Sequence, residues 1–160
     1  MLDEPSVIGG LCPAGGYCPE GSSEPTNCPN GTYNNYTGAT SKADCADCPP
    51  GYYCAGSNNP YPTGKCAAGY YCTGGSTTPY QYEVPPGYFS IEGASQPARC
   101  TPGTYQTYPG EASCLECPAG YYCDAFNATG YTPCPLGSYC IAGTSYPEKC
   151  PAGTYGKRSA

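Results

Sequence analysis

One phrase, written nine times, constrains this chain more than any other property. Its copies begin at Cys12, Cys28, Cys48, Cys66, Val84, Cys100, Cys117, Cys134 and Cys150. Three residues after each start stands a glycine: Gly15, Gly31, Gly51, Gly69, Gly87, Gly103, Gly120, Gly137 and Gly153. Five residues after each stands an aromatic: Tyr17, Tyr33, Tyr53, Tyr71, Phe89, Tyr105, Tyr122, Tyr139 and Tyr155. Proline directly follows the start in seven of the nine copies. Such a phrase reads as a tight turn entering a short strand, with Pro presetting φ at the first central turn position and Gly favoured next. Between copies, clusters of Gly, Ser, Thr, Asn and Pro read as loop, and no window keeps a helical period.

Units this small need something to hold them. Across 160 residues the aliphatic set is Leu2, Leu11, Leu115, Leu136, Val7, Val84, Ile8, Ile91 and Ile141. A domain of this length normally buries well over half its unfolded surface around an apolar core, and nine aliphatic side chains cannot build one. The 15 cysteines supply the alternative, at a density that marks a disulfide scaffold and an oxidising, extracellular compartment. The expected fold is therefore a set of small disulfide-rich repeats: an extended rod of turns and short β-hairpins with little helix and no large hydrophobic core.

Two kinds of module occur. Short modules carry a second cysteine right after the aromatic (Cys18, Cys54, Cys72, Cys123, Cys140), whereas long ones close later, at Cys45 and Cys114. Residues 1–11 form an N-terminal linker or partial module. A short module (12–27) and a long one (28–47) make up 12–47, and 48–83 hold two short modules. Residues 84–99 are a long module without its disulfide, 100–116 a long module, 117–149 two short ones, and 150–160 a truncated long one. In 84–99, Val84 replaces the opening cysteine and Pro97 the closing one.

Cysteines lost together are expected to have been partners. That rule gives closure within each module: Cys12–Cys18, Cys28–Cys45, Cys48–Cys54, Cys66–Cys72, Cys100–Cys114, Cys117–Cys123 and Cys134–Cys140. A crossed pattern, such as Cys12–Cys28 with Cys18–Cys45, is the alternative. Downstream it needs partners at 84 and 97, or a second rule joining Cys48 to Cys66 and Cys54 to Cys72. Spacing alone leaves both open. Cys150 is left unpaired or intermolecular, because the chain ends before a closing cysteine at the long-module spacing. Residues 134–155 match 12–33 at 13 of 22 positions, a higher-order period of 122 residues, so the segment reads as part of a longer repetitive protein.

The wording CPxGYYC…CPxGTY…CxxC resembles the ephrin-receptor-like cysteine-rich repeats, and the resemblance covers nearly all of residues 12–155. Repeats that look like this, rich in Tyr, Gly and Pro, occur in large surface or secreted proteins of protists and algae, including those of flagellar hairs. The resemblance implies an extended extracellular rod; Val84 and Pro97 depart from its pattern.

Candidate sites are few. Asn30 (NGT), Asn35 (NYT) and Asn127 (NAT) are N-glycosylation sequons. Cys45-x-x-Cys48 and Cys114-x-x-Cys117 read as module junctions rather than zinc or redox sites, since zinc needs four convergent ligands. The chain has no His, which removes the commonest general base and metal ligand; no catalytic residue, metal or cofactor is expected. A net charge of −6 with no basic stripe argues against nucleic acid, and no apolar run is long enough to span a bilayer. Tyr36, Tyr61, Tyr80, Tyr82, Tyr108, Tyr131 and Tyr146 fall in loops, where they either contact neighbouring rods or cap turns of their own chain. The expectation from these features is a glycosylated structural protein that self-associates into a fibril, hair or coat. The alternative is a receptor or adhesion ectodomain that presents a binding surface.

Overall fold

A computed structural model describes residues 9–156. Within it each of the eight modules from Cys12 to Lys149 folds as one two-stranded antiparallel hairpin. In chain order the pairs are β1 (Gly16–Tyr17) with β2 (Thr26–Asn27), β3 (Thr32–Tyr33) with β4 (Ala46–Asp47), β5 (Tyr52–Tyr53) with β6 (Gly64–Lys65), and β7 (Tyr70–Tyr71) with β8 (Tyr82–Glu83). They continue with β9 (Tyr88–Phe89) and β10 (Ala98–Arg99), β11 (Thr104–Tyr105) and β12 (Leu115–Glu116), β13 (Tyr121–Tyr122) and β14 (Thr132–Pro133), and β15 (Ser138–Tyr139) and β16 (Glu148–Lys149). One 3₁₀ turn, Lys42–Asp44, is the only helical element among the described residues.

The phrase explains each hairpin's start. In all nine copies the amide four residues after the start donates to the carbonyl one residue after it, from Gly16 to Pro13 (3.3 Å) through Thr154 to Pro151 (3.0 Å). The glycine is therefore the third turn residue, and its φ lies between 77° and 89° in every copy. That is the type II turn, whose third position demands positive φ. The proline consequently sits one place earlier than its φ preference suggests, as the turn's first residue, where it supplies the accepting carbonyl. Only Pro50, Pro86 and Pro102 occupy the first central position. Eight hairpins then close alike, the amide of the next start donating to the glycine carbonyl, as from Cys28 to Gly15 (2.8 Å) and from Cys150 to Gly137 (3.0 Å).

The bridges join Cys12–Cys18, Cys28–Cys45, Cys48–Cys54, Cys66–Cys72, Cys100–Cys114, Cys117–Cys123 and Cys134–Cys140, with Cα separations of 5.6–6.3 Å. These lie well inside the span a disulfide accepts. The interior is a column of half-cystines: Cys28, Cys48, Cys54, Cys66, Cys72, Cys100 and Cys117 are buried with no more than 1% exposure. The aliphatic side chains are elsewhere. Leu11, Ile91, Leu115, Leu136 and Ile141 all face solvent. Val84 is the only one of them buried among the described residues, and it stands in a cysteine's place.

Candidate functional site

The feature repeated most faithfully is the junction between modules, and it is made of backbone. Each junction carries three hydrogen bonds. First, the phrase glycine donates to the carbonyl six residues into the next module, as from Gly15 to Asn34 (2.8 Å), Gly51 to Cys72 (2.8 Å) and Gly87 to Gln106 (2.8 Å). Second, the amide six residues into a module donates onward, as from Cys18 to Ala39 (2.9 Å) and Ser90 to Glu111 (3.1 Å). Third, a corner residue of the next module donates back to the start carbonyl, as from Gly38 to Cys12 (2.7 Å) and Gly110 to Val84 (2.9 Å). All seven junctions from Cys12 to Thr144 repeat this set. At a net of about 1 kcal/mol each, the bonds contribute on the order of 3 kcal/mol per junction, before packing.

Three slots make the junction possible. The corner residues are Gly38, Asn58, Gly75, Gly93, Gly110, Asn127 and Gly143, and every one has positive φ. Glycine reaches that region freely, and asparagine is the side chain that tolerates it best. The phrase glycine has a second reason to be glycine, because the corner two modules further on lies against it. A Cβ on Gly31 would stand 2.6 Å from the Gly75 carbonyl oxygen, and one on Gly15 would stand 2.9 Å from that of Asn58. Gly51, Gly69, Gly87 and Gly103 face Gly93, Gly110, Asn127 and Gly143 in the same way. Modules thus bond to the next neighbour and touch the one after, which makes the ladder stiff.

The third slot, six residues after the start, is cysteine in short modules and Asn34, Ser90 or Gln106 in long ones. All three of these polar side chains are buried. Asn34 Nδ2 donates to the Gly16 carbonyl (3.0 Å), Ser90 Oγ to the Tyr70 carbonyl (2.9 Å), and Gln106 Nε2 to the Ser113 carbonyl (2.8 Å). Their burial is offset by those partners. Reading the sequence for cysteines alone misses this slot; aligning the copies at offset six reveals it.

The sequons fall in different settings. Asn35 is exposed, and so is Asn30, the first central residue of its turn. Asn127 is a ladder corner: φ is 59°, its amide donates to Cys100 (3.0 Å), and Nδ2 donates to the Tyr88 hydroxyl (3.1 Å) two modules back. A glycan and the ladder compete for that nitrogen. Each Cys-x-x-Cys is split between two bridges, Cys45 and Cys114 closing one module while Cys48 and Cys117 open the next. Cys150 is free and half-buried. Among the described residues no group of three or more His, Cys, Asp or Glu converges as a metal site, and no helix is long and apolar enough to cross a membrane.

Among the loop tyrosines, Tyr80, Tyr82 and Tyr131 pack within their own chain, one of their two expected ends. Tyr36, Tyr61, Tyr80, Tyr82, Tyr108, Tyr131 and Tyr146 are all exposed. Tyr80 packs edge-on against Tyr70 (5.1 Å), and Tyr82 stacks on Tyr71 (5.3 Å), both within one hairpin. Tyr131 meets Tyr121 (4.7 Å) and reaches across a junction to Tyr105 (5.1 Å). In the long loop of 28–47, the Asp44 carboxylate accepts from the Thr40 (2.8 Å) and Ser41 (2.9 Å) amides. Those bonds, the Ser41 one foremost, with help from the Tyr36 hydroxyl, hold its carboxyl below the usual aspartate range. No protein-family model matches the chain, and no curated protein is found to be related to it.

Proposed function

We propose that this chain is a structural element of an extracellular assembly, a disulfide-stapled and glycosylated rod that builds a fibril, hair or coat. The observation that carries the reading is the junction. Eight successive modules are joined at seven junctions by the same three backbone bonds, whatever their length and whether or not they hold a bridge. A ladder of that kind transmits load along its axis and extends by repetition. Seven disulfides require an oxidising compartment to form, which supports placement outside the cell, and exposed Asn35 and Asn30 offer sites for sugars. The resemblance to ephrin-receptor-like repeats points the same way.

Negative-stain imaging of the native, non-reduced protein tests the reading. Filaments with a regular axial repeat are the expected result. A monodisperse monomer that captures a single partner would replace it with the ectodomain alternative.

A further inference from the structure

The residue just before each module start is the last of the closing strand, and it faces a fixed cross-strand partner: Asp47 faces Thr32, Lys65 faces Tyr52, Glu83 faces Tyr70, Arg99 faces Tyr88 and Glu116 faces Thr104. All five are exposed, in five consecutive modules, and their signs alternate strictly: minus, plus, minus, plus, minus. The neutral Asn27 and Pro133 occupy the slots on either side. The described stretch has four basic residues, Lys42, Lys65, Arg99 and Lys149, and three of them stand in this slot.

The side chains also lean one way. A Cβ on Gly93 would stand 3.3 Å from Lys65 Cδ, one on Gly110 2.9 Å from Glu83 Oε1, and one on Gly143 3.4 Å from Glu116 Oε1. The Arg99 guanidinium lies 5.5 Å over the Phe126 ring, beside the corner at Asn127. Lys65, Glu83, Arg99 and Glu116 therefore each reach the corner two modules further on, whereas a Cβ on Gly75, the corner two modules beyond Asp47, meets nothing within 4 Å. With Asp47 in the same strand position, the charges form a single column along one edge of the ladder.

We propose that this column is a lateral contact whose partner is a second copy of the same chain, displaced along the axis by one module. The proposal rests on the reading as an assembling rod and names how rods pair. Two such columns placed level set five like charges against each other; a shift of one module sets four opposite pairs in register, whether the copies run parallel or antiparallel. A polyanion or a uniformly charged surface gains nothing from alternating signs, whereas a second copy is complementary by construction. One exposed ion pair contributes little. Several in fixed register along a stiff ladder act together, and the arrangement rejects the unshifted pairing.

The test uses the full chain in three forms: native, an acidic column (Lys65→Glu with Arg99→Glu), and a basic column (Asp47→Lys, Glu83→Lys and Glu116→Lys). All five positions are exposed, and non-reducing peptide mapping checks that each form keeps its seven bridges. Lateral bundles are measured by sedimentation and by filament width in micrographs. In about 0.15 M salt each variant alone is expected to lose tenfold or more of the bundled fraction, and an equimolar mixture to recover it to within about twofold. Raising salt to about 1 M, where screening acts within ~3 Å, dissolves native bundles. Variants that bundle like the native chain, or a mixture that fails to recover, overturn the proposal. Native filaments that never associate sideways overturn it while leaving the fibril reading intact. A native chain that stays monomeric at every salt overturns both.

Discussion

Modules 84–99 and 100–116 are neighbours of the same long type, and only the second has a disulfide. Cys100–Cys114 closes it with Cα atoms 5.7 Å apart; in the first, Val84 is fully buried and Pro97 half-buried. Their ladder bonds are otherwise alike. Gly87 and Gly103 donate forward at 2.8 Å, and Gly110 and Asn127 donate back to Val84 and Cys100 at 2.9 and 3.0 Å. The backbone conformation thus does not depend on sulfur. The turn glycine, the buried slot and the positive-φ corner define the rung, and the start position needs only a small apolar side chain that burial can tolerate. A bridge adds restriction of the unfolded chain.

The sharpest way to break that equality is to attack what both modules share. Gly87→Ala forces a side chain into positive φ and against the Asn127 carbonyl. Strain and overpacking together are expected to cost about 2–5 kcal/mol. The same change at Gly137, where a Cβ meets nothing within 4 Å, retains only the strain of about 1–2 kcal/mol. Denaturant unfolding of the oxidised proteins measures both, and equal losses would mean that the contact two modules away contributes nothing.

Exchanging the distinguishing feature should move stability less. Cys100→Val with Cys114→Pro turns the second module into the first and should cost about 2–3 kcal/mol, the value of a loop that size. The reverse pair, Val84→Cys with Pro97→Cys, should form an eighth bridge, raise stability by up to a similar amount, and leave the free-thiol count at one. Peptide mapping and titration of thiols check it; a count of three would show that the module cannot accept the closure of its sister.

Smaller again is the buried slot. Ser90→Ala removes the bond to the Tyr70 carbonyl and should cost about 1–2 kcal/mol, because that oxygen loses its side-chain donor. It should leave the neighbouring bridges intact on peptide maps.

The positions legible in the sequence were those where every copy uses one residue type. The start, the glycine and the aromatic identify the hairpins, and the joint absence at Val84 and Pro97 points to partners. The slot six residues in was hidden because Cys, Asn, Ser and Gln share burial there but no chemistry. The corners were hidden by a variable offset, nine residues after the start at Gly75 and ten at Asn58, and by Asn127 resembling a plain sequon. Proline's turn position was misplaced because its φ preference was weighed without the stronger demand of glycine three residues in. Contacts two modules apart, and the axial charge column, exist only once the modules are stacked.

The smallest effect tests whether loops are independent of rungs. Module 28–47 has a loop clamp its long sisters lack, the Asp44 carboxylate accepting from Thr40 and Ser41 amides. Those bonds depress the folded carboxyl below its unfolded value, so their contribution is complete above the ordinary aspartate pKa of about 3.9 and is lost as pH falls through the lower folded value. In an acid titration followed by NMR, the Thr40 and Ser41 amide shifts should move with that folded titration, and Asp44→Asn should abolish the movement. The rung amides of Gly31 and Asn34 donate to the Cys54 and Asn59 carbonyls, which do not titrate, and should stay in place throughout. Rung amides that moved with the clamp would show that loop closure, by carboxylate or by sulfur, helps to set the ladder's geometry, against the lesson of the two long modules.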